Sequence, residues 1–219
     1  MLTARNLLLV VSHTPAGDYH LDMFYKTDLE TIKTFSLSKP AADMAVTGDK
    51  LYVLTSADGK SGMDIFDLKN FIQERQVSLG QKGLGVETLV ARDARVYGIR
   101  PYNPTTEEAA AILEFNTTNR TSKLIGTDGI QAYFEGVPAA VKPMGGDSIL
   151  LANYNGFTAY DTKTGEIRDG IIMAVGNRVY PTEAVQDTLS QRTYVVYADE
   201  NAETCLLYTS DAADERSSV

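Results

Sequence analysis

The stretch Asp147–Ile172, DSILLANYNGFTAYDTKTGEIRDGII, reads as three short strands joined by two tight turns. Ile149–Asn153 is an apolar run. Asn155-Gly156 is the residue pair that most readily takes the positive φ angles of a two-residue hairpin turn. Phe157–Tyr160 resumes the strand pattern, Asp161–Gly165 turns again, and Glu166–Ile172 closes the unit.

The same unit recurs along the chain. Strands with the character of Ile149–Asn153 appear at Leu8–Ser12, Leu51–Thr55, Val96–Arg100 and Tyr194–Tyr197. Taken at Leu9, Tyr52, Tyr97, Leu150 and Tyr194, they follow one another at steps of 43, 45, 53 and 44 residues. A second series keeps the same register: an aromatic residue closes the next strand and a polar turn follows, at Phe24, Phe66, Phe115 and Tyr160. Asp and Asn suit these turns because their side chains bond their own backbone and tolerate left-handed conformations. After each turn comes a further strand: Thr31–Leu37, Gln73–Leu79, Thr121–Ile125 and Glu166–Ile172. A fourth strand precedes the run in each unit, at Asp43–Val46, Val86–Val90, Pro138–Val141 and Thr182–Val185.

A period near 45 residues with four short strands per unit is the signature of propeller blades. The expected fold is therefore all-β, a partial β-propeller of about four and a half four-stranded blades of 43–53 residues. The first blade is expected to lack its inner strand, the next three to be complete and the fifth to be cut short. YVLTSADGKSGMDIFDLKN (Tyr52–Asn70) and ILLANYNGFTAYDTKTGE (Ile149–Glu166) resemble the repeats of YVTN-type and related WD-repeat-like or quinoprotein-like β-propellers. The resemblance spans most of residues 6–201 and lies in strand–turn–strand–Asp–turn spacing. It implies a ring of roughly six to eight blades, and it implies little about activity, because the fold hosts unrelated functions.

Charge and composition narrow the function classes. Net charge is −9 over 219 residues, which disfavours a broad phosphate-binding surface and hence nucleic acid as partner. No apolar run approaches the roughly 20 residues of a membrane span, and Leu7–Val11 is too short for a signal-peptide core. CLLYTSDAADE (Cys205–Glu215) resembles a translated sequencing-library adapter. The expectation is that residues 205–219 form a non-native tail, that residues 1–204 carry the propeller, and that the gene is cut off near Thr204. Without that tail, which holds Asp211, Asp214, Glu215 and Arg216, net charge is −7 and no cysteine remains.

In a four-strand blade the loops between the second and third strands share a face with the blade-to-blade connections. That face is expected to carry His13–Asp18, Ser56–Gly62, Pro101–Glu108 and Asn153–Gly156, together with Ser38–Ala41, Gly80–Gly85, Gly126–Gly136 and Asn177–Pro181. Second strands end at Ser12, Thr55, Arg100, Asn153 and Tyr197. His13, Arg100, Tyr102, Asn153, Tyr154 and Asn155 are the candidate ligand-binding residues, with Arg100 as a fork-shaped donor for an anion or peptide. Strand ends that reach solvent are polar in any case, and both readings stand.

Other constellations carry less chemistry. His13, Asp18 and His20 offer imidazole and carboxylate, but their spacing matches no ligand motif. Asp58–Gly62 lacks the alternating acids of a calcium loop and reads as a hairpin turn. Gly80–Gly85 has no Gly-Lys-Ser/Thr and reads as a flexible blade connection. Pro101–Ala111 lengthens a hairpin, with Thr105–Glu108 able to start a helical turn. Asn116-Thr117-Thr118 and Asn119-Arg120-Thr121 fit the glycosylation pattern, and turn chemistry explains them equally.

No G-x-S-x-G elbow and no Ser/His/Asp set with placed roles is present. The expected function is a non-enzymatic ligand- or protein-binding scaffold, with a protein, peptide or small molecule on the loop face and no cofactor or metal. The family resemblance implies export to the periplasm or beyond. The alternative is a propeller enzyme, either a lactonase-like hydrolase or a quinoprotein-like oxidoreductase. The absence of Trp counts against the latter, whose blades dock through tryptophan motifs.

Overall fold

The computed structural model describes residues 1–86, 88–100, 111–126, 140–143, 147–153, 156–172, 179–187, 192–199 and 205–210. The protein is an all-β partial β-propeller built from successive antiparallel sheets. The first holds β1 (Leu2–Ala4), β2 (Leu7–His13), β3 (Tyr19–Tyr25) and β4 (Thr31–Leu37) in that order. The second holds β5 (Ala41–Thr47), β6 (Lys50–Ala57), β7 (Lys60–Asp67) and β8 (Ile72–Gly80). The third holds β9 (Leu89–Arg92), β10 (Arg95–Arg100), β11 (Ala111–Asn116) and β12 (Thr121–Gly126). The fourth holds β13 (Ala140–Pro143), β14 (Ser148–Asn153), β15 (Gly156–Asp161) and β16 (Ile167–Ile172). Three strands make the last sheet: β17 (Val179–Asp187), β18 (Arg192–Asp199) and β19 (Cys205–Ser210). Two compact units divide the chain, Met1–Gly98 with Leu113–Leu124, and Ile99–Ile112 with Ile125–Val219.

The repeat register holds at the level of pairing. Phe24 lies opposite Leu8, Phe66 opposite Leu51 and Tyr160 opposite Ile149. Inner strands run side by side, β5 against both β1 and β9 in the first unit and β13 against β17 in the second.

Two expectations need correction. The first sheet does have an inner strand, β1, paired Leu2 to Leu9 and Ala4 to Leu7; three residues are too few to show a period. The last sheet is one strand short of four, and its third strand, Cys205–Ser210 of the adapter-like segment, pairs along β18 from Ala198 to Thr193. Its Leu206, Leu207 and Tyr208 are residue types that suit a pleated surface. Val86 lies outside the strand it was assigned to: β9 begins at Leu89, whose N–H donates to Asp43 Oδ2 at 2.6 Å. The expected helical turn near Thr105 lies outside the described residues.

Turn chemistry explains why the aromatic–polar motif repeats. Asp67 Oδ1 accepts from the N–H of Lys69 and Asn70, Asn116 Oδ1 from Thr118 and Asn119, and Asp161 Oδ1 from Lys163 and Thr164. Four residues beyond the start of each turn, the chain enters the left-handed region, at Leu29 (φ 59°), Phe71 (φ 53°), Arg120 (φ 60°) and Gly165 (φ 76°). Of these only Gly165 does so without a Cβ penalty. Leu29 is 61% exposed and loses little contact on truncation. Leu29→Gly is therefore expected to stabilise the protein by about 0.5–1 kcal/mol in equilibrium urea unfolding. A destabilised variant would mean that this turn gains nothing from relaxed backbone.

Two apolar clusters hold the first unit together. Leu7, Leu9, Leu21, Met23 and Leu37 of the first sheet meet Met44, Leu51, Val53 and Phe66 of the second. Tyr52, Leu54, Met63 and Ile65, on the other face of the second sheet, meet Leu89, Val96, Leu113 and Phe115 of the third. The second sheet is thus covered on both sides, so β6 and β7 are buried along nearly their whole length. β2 instead alternates buried and half-buried positions.

Candidate ligand-binding cleft

The hairpin between β2 and β3 is a tight five-residue loop. Thr14 N–H donates to Asp18 O, Gly17 N–H to Thr14 O, and Asp18 N–H to Thr14 Oγ1. It brings His13 directly opposite Tyr19, with ring centroids 6.3 Å apart and tilted by 54°. The connection from β4 into β5 comes up beside this pair, and Ser56 N–H donates to Pro40 O at 3.1 Å to anchor it. Between them lies a cleft of about 330 Å³, lined by Val11, His13, Tyr19, Pro40, Ala42 and Asp43 among others. That volume is at the lower end of small-ligand sites.

The polar groups of the cleft differ in what they have left to offer. Asp43 Oδ1 accepts the Met44 N–H at 2.8 Å and Oδ2 accepts the Leu89 N–H, so this carboxylate ties β5 to β9. Ser12 donates to Asp22 Oδ2 at 3.0 Å, and Asp22 Oδ1 accepts from Thr34 Oγ1 at 2.7 Å. His13 is exposed, and its Nδ1 lies 3.4 Å from Thr14 O. His20 lies opposite Ser12, yet Ser12 gives its proton to Asp22 instead. The three residues therefore do not form a nucleophile–base–acid relay, which needs the imidazole between hydroxyl and carboxylate.

The register also separates the two histidines. His13 pairs with Tyr19 and His20 with Ser12, on opposite faces of the sheet. Among the described residues no three His, Cys, Asp or Glu side chains stand together as metal ligands. Asp58 and Gly59, with φ of 52° and 68°, make the two-residue hairpin between Ala57 and Lys60. Gly80–Gly85 is packed rather than loose: Gln81–Gly83 form a 3-10 turn with Gly83 buried against Ser61.

Of the six residues singled out by sequence, His13 lines this cleft in the first unit. In the second unit Arg100 ends β10, half-buried, and Asn153 ends β14 opposite Gly156. Each therefore ends the second strand of its sheet. Tyr102, Tyr154 and Asn155 lie outside the described residues. Sequence reasoning missed Tyr19 and Asp43. Counting back across the hairpin from His13 would have found Tyr19. Asp43 carries no local signal, because its partner Leu89 is 46 residues away.

At the opposite end of the second and third sheets lies a second cavity, of about 350 Å³. Its charges are already matched. Lys50 Nζ lies 2.8 Å from Asp67 Oδ2 and also bonds Glu74, which Arg120 approaches at 3.8 Å. The Lys50 ammonium holds the Asp67 carboxyl well below the usual carboxylate range, and the turn amides add to the effect. Burial pushes the Tyr52 phenol up, opposed by its hydrogen bond with Thr117.

No protein-family model matches the chain, and no curated protein matches it. Solved structures do. TolB from Acinetobacter baumannii superposes with a TM-score of 0.61 at 14% identity over 92% of this chain and 49% of TolB. The β-propeller domain of the Trilobed protease from Pyrococcus furiosus does so at 0.51 and 14%, over 96% and 79%. PorZ, a bacterial surface component of the type-IX secretion system of Porphyromonas gingivalis, does so at 0.56 and 11%, over 97% and 26%. The chain thus spans about half of TolB. At these identities the likeness concerns the fold, and the fold it names is the β-propeller.

Proposed function

We propose that the chain is a non-enzymatic binding propeller that takes a peptide or small molecule in the His13–Tyr19 cleft on its loop face. One observation carries this reading: an apolar-walled cleft whose fixed carboxylate, Asp43, is committed to backbone amides, while the His13 and Tyr19 rings stand at its rim. A cleft of this shape and lining supports a reading as a site that holds a ligand. Aromatic side chains at the rim of an apolar pocket are the usual anchors of binding energy. The work of this site is placed outside the cytoplasm, a reading favoured by the likeness to PorZ, itself a surface component. Among the described residues no helix is long and apolar enough to cross a membrane.

The test is selection of random heptapeptides displayed on phage against the full chain. Enriched peptides are then measured on the wild type and on the His13→Ala/Tyr19→Ala double variant. The expected outcome is a Kd raised about tenfold or more in the double variant, corresponding to about 1.4 kcal/mol. Equal binding to both proteins would move the site elsewhere on the surface.

A further inference from the structure

Carboxylates recur on the third strands of the described sheets, and they differ in what meets their oxygens. Asp22 on β3 accepts two hydroxyls. Glu114 on β11 has two cations close by, Lys123 at 3.2 Å and Arg95 at 3.7 Å, although its Oε2 accepts no hydrogen bond. Asp67 at the end of β7 has Lys50 and three turn donors. Asp64, at the same repeat position as Asp22, is 1% exposed; no well-formed hydrogen bond reaches either oxygen, and the donors near it are the neutral amides of Gln76 and Gln73. Thr55, which takes the place of Ser12, is fully buried and its hydroxyl is equally without a partner.

The surroundings of Asp64 are apolar. It shares the face of β7 that carries Phe66, opposite Val53, and this face packs on Leu7, Leu9, Leu21 and Met23 of the first sheet. Each neighbouring element contributes little charge. β8 offers the neutral Gln76 opposite it, whose Nε2 donates to Ser38 Oγ at 3.2 Å, and Gln73 beyond. On the first sheet the titratable His20 and Asp22 point to the far face, Tyr19 and His13 lie toward the loop end, and the exposed Lys33, opposite Met23, shares the packed face with its ammonium 6.0 Å from the Phe35 ring. On β5 the same face presents Met44. Lys39, on the connection, is the cation that acts on Asp64, and its Nζ is drawn 3.4 Å from Lys60 O.

An ionised carboxylate in such a place is costly, whereas the neutral acid carries no charge to desolvate and can offer its own proton to a Gln carbonyl. We infer that Asp64 makes the docking of the first sheet on the second proton-dependent, closed while its carboxyl is neutral and loosened when it ionises. Burial pushes the Asp64 carboxyl up from its ordinary value of 3.8, opposed by Gln76, Gln73 and Lys39. The sign follows from linkage. Because the folded chain holds this proton more tightly than the unfolded chain, the benefit is complete below the ordinary value. It is lost as pH rises through the raised one, and is flat above.

The experiment compares thermal unfolding of the full chain with Asp64→Asn and Asp64→Val across about pH 3.5–8. Asp67, with its depressed carboxyl, depends on pH in the opposite sense, but it is common to all three proteins and cancels in the differences. The expected result is a Tm gain of the Asn variant over wild type that is near zero at the acid end. The gain grows, toward the neutral end, to roughly 3–5 °C for each tenfold by which the folded chain holds this proton more tightly than the unfolded one. The Asn-to-Val difference should not change with pH. A gap that is constant with pH overturns the inference, as does a wild type more stable than both variants at neutral pH.

Discussion

Phe66→Ala is expected to lower the stability of the protein by about 3–5 kcal/mol. Phe66 is fully buried, its ring centroid is 5.0 Å from that of Phe35, and it sits in the cluster that joins the first two sheets. Removing it leaves a cavity between two sheets whose backbones are held by their own ladders and cannot close on it. Phe24 occupies the same repeat position one blade earlier, opposite Leu8 as Phe66 is opposite Leu51. Phe24 is only half-buried, however. Phe24→Ala should therefore cost about 1 kcal/mol, in proportion to the apolar area it hides. Equilibrium urea unfolding followed by tyrosine fluorescence measures both, since the chain has no Trp. Equal losses would show that repeat position, and not sheet-on-sheet burial, sets the cost.

Gly98→Ala should cost about 2–3 kcal/mol although it adds a single methyl group. A Cβ at Gly98 would lie 2.5 Å from Val86 Cγ1 and 2.8 Å from the Thr88 carbonyl oxygen. Val86, β-branched and buried in the core, has little room to turn aside. The carbonyl has no more freedom, because Thr88 adjoins Leu89, which pairs with Gly98 and is anchored by Asp43. The substitution therefore pushes β9 away from β10. The measurement is the same unfolding transition, and a variant as stable as wild type would show that the entry into β9 has slack.

Legibility in the sequence followed the range of the interactions involved. Strands β4 and β8 and the hairpin at Asp58-Gly59 were readable because residue types a few positions apart determine them. So were the Asx turns at Asp67, Asn116 and Asp161. β1 escaped notice because three residues carry no period. In the cleft, His13 was legible as a strand-end polar residue, while its neighbours from Pro40 to Asp43 arrive through the path of a connection. Asp64 went unremarked, because a single acid within GMDIF carries no local signal of burial.

By itself, then, the sequence determined the blade: four strands, their order, and the turns between them, all set by local periodicity and backbone preference within about 45 residues. The tertiary structure decided which face of each blade is covered. Asp22 and Asp64 have the same place in the repeat. Asp22 keeps two hydroxyl partners on a half-buried face, whereas Asp64 is sealed against the neighbouring sheet without any. Burial and pairing depend on what packs across the sheet. That neighbour comes from residues some 40 positions away, which no local pattern encodes.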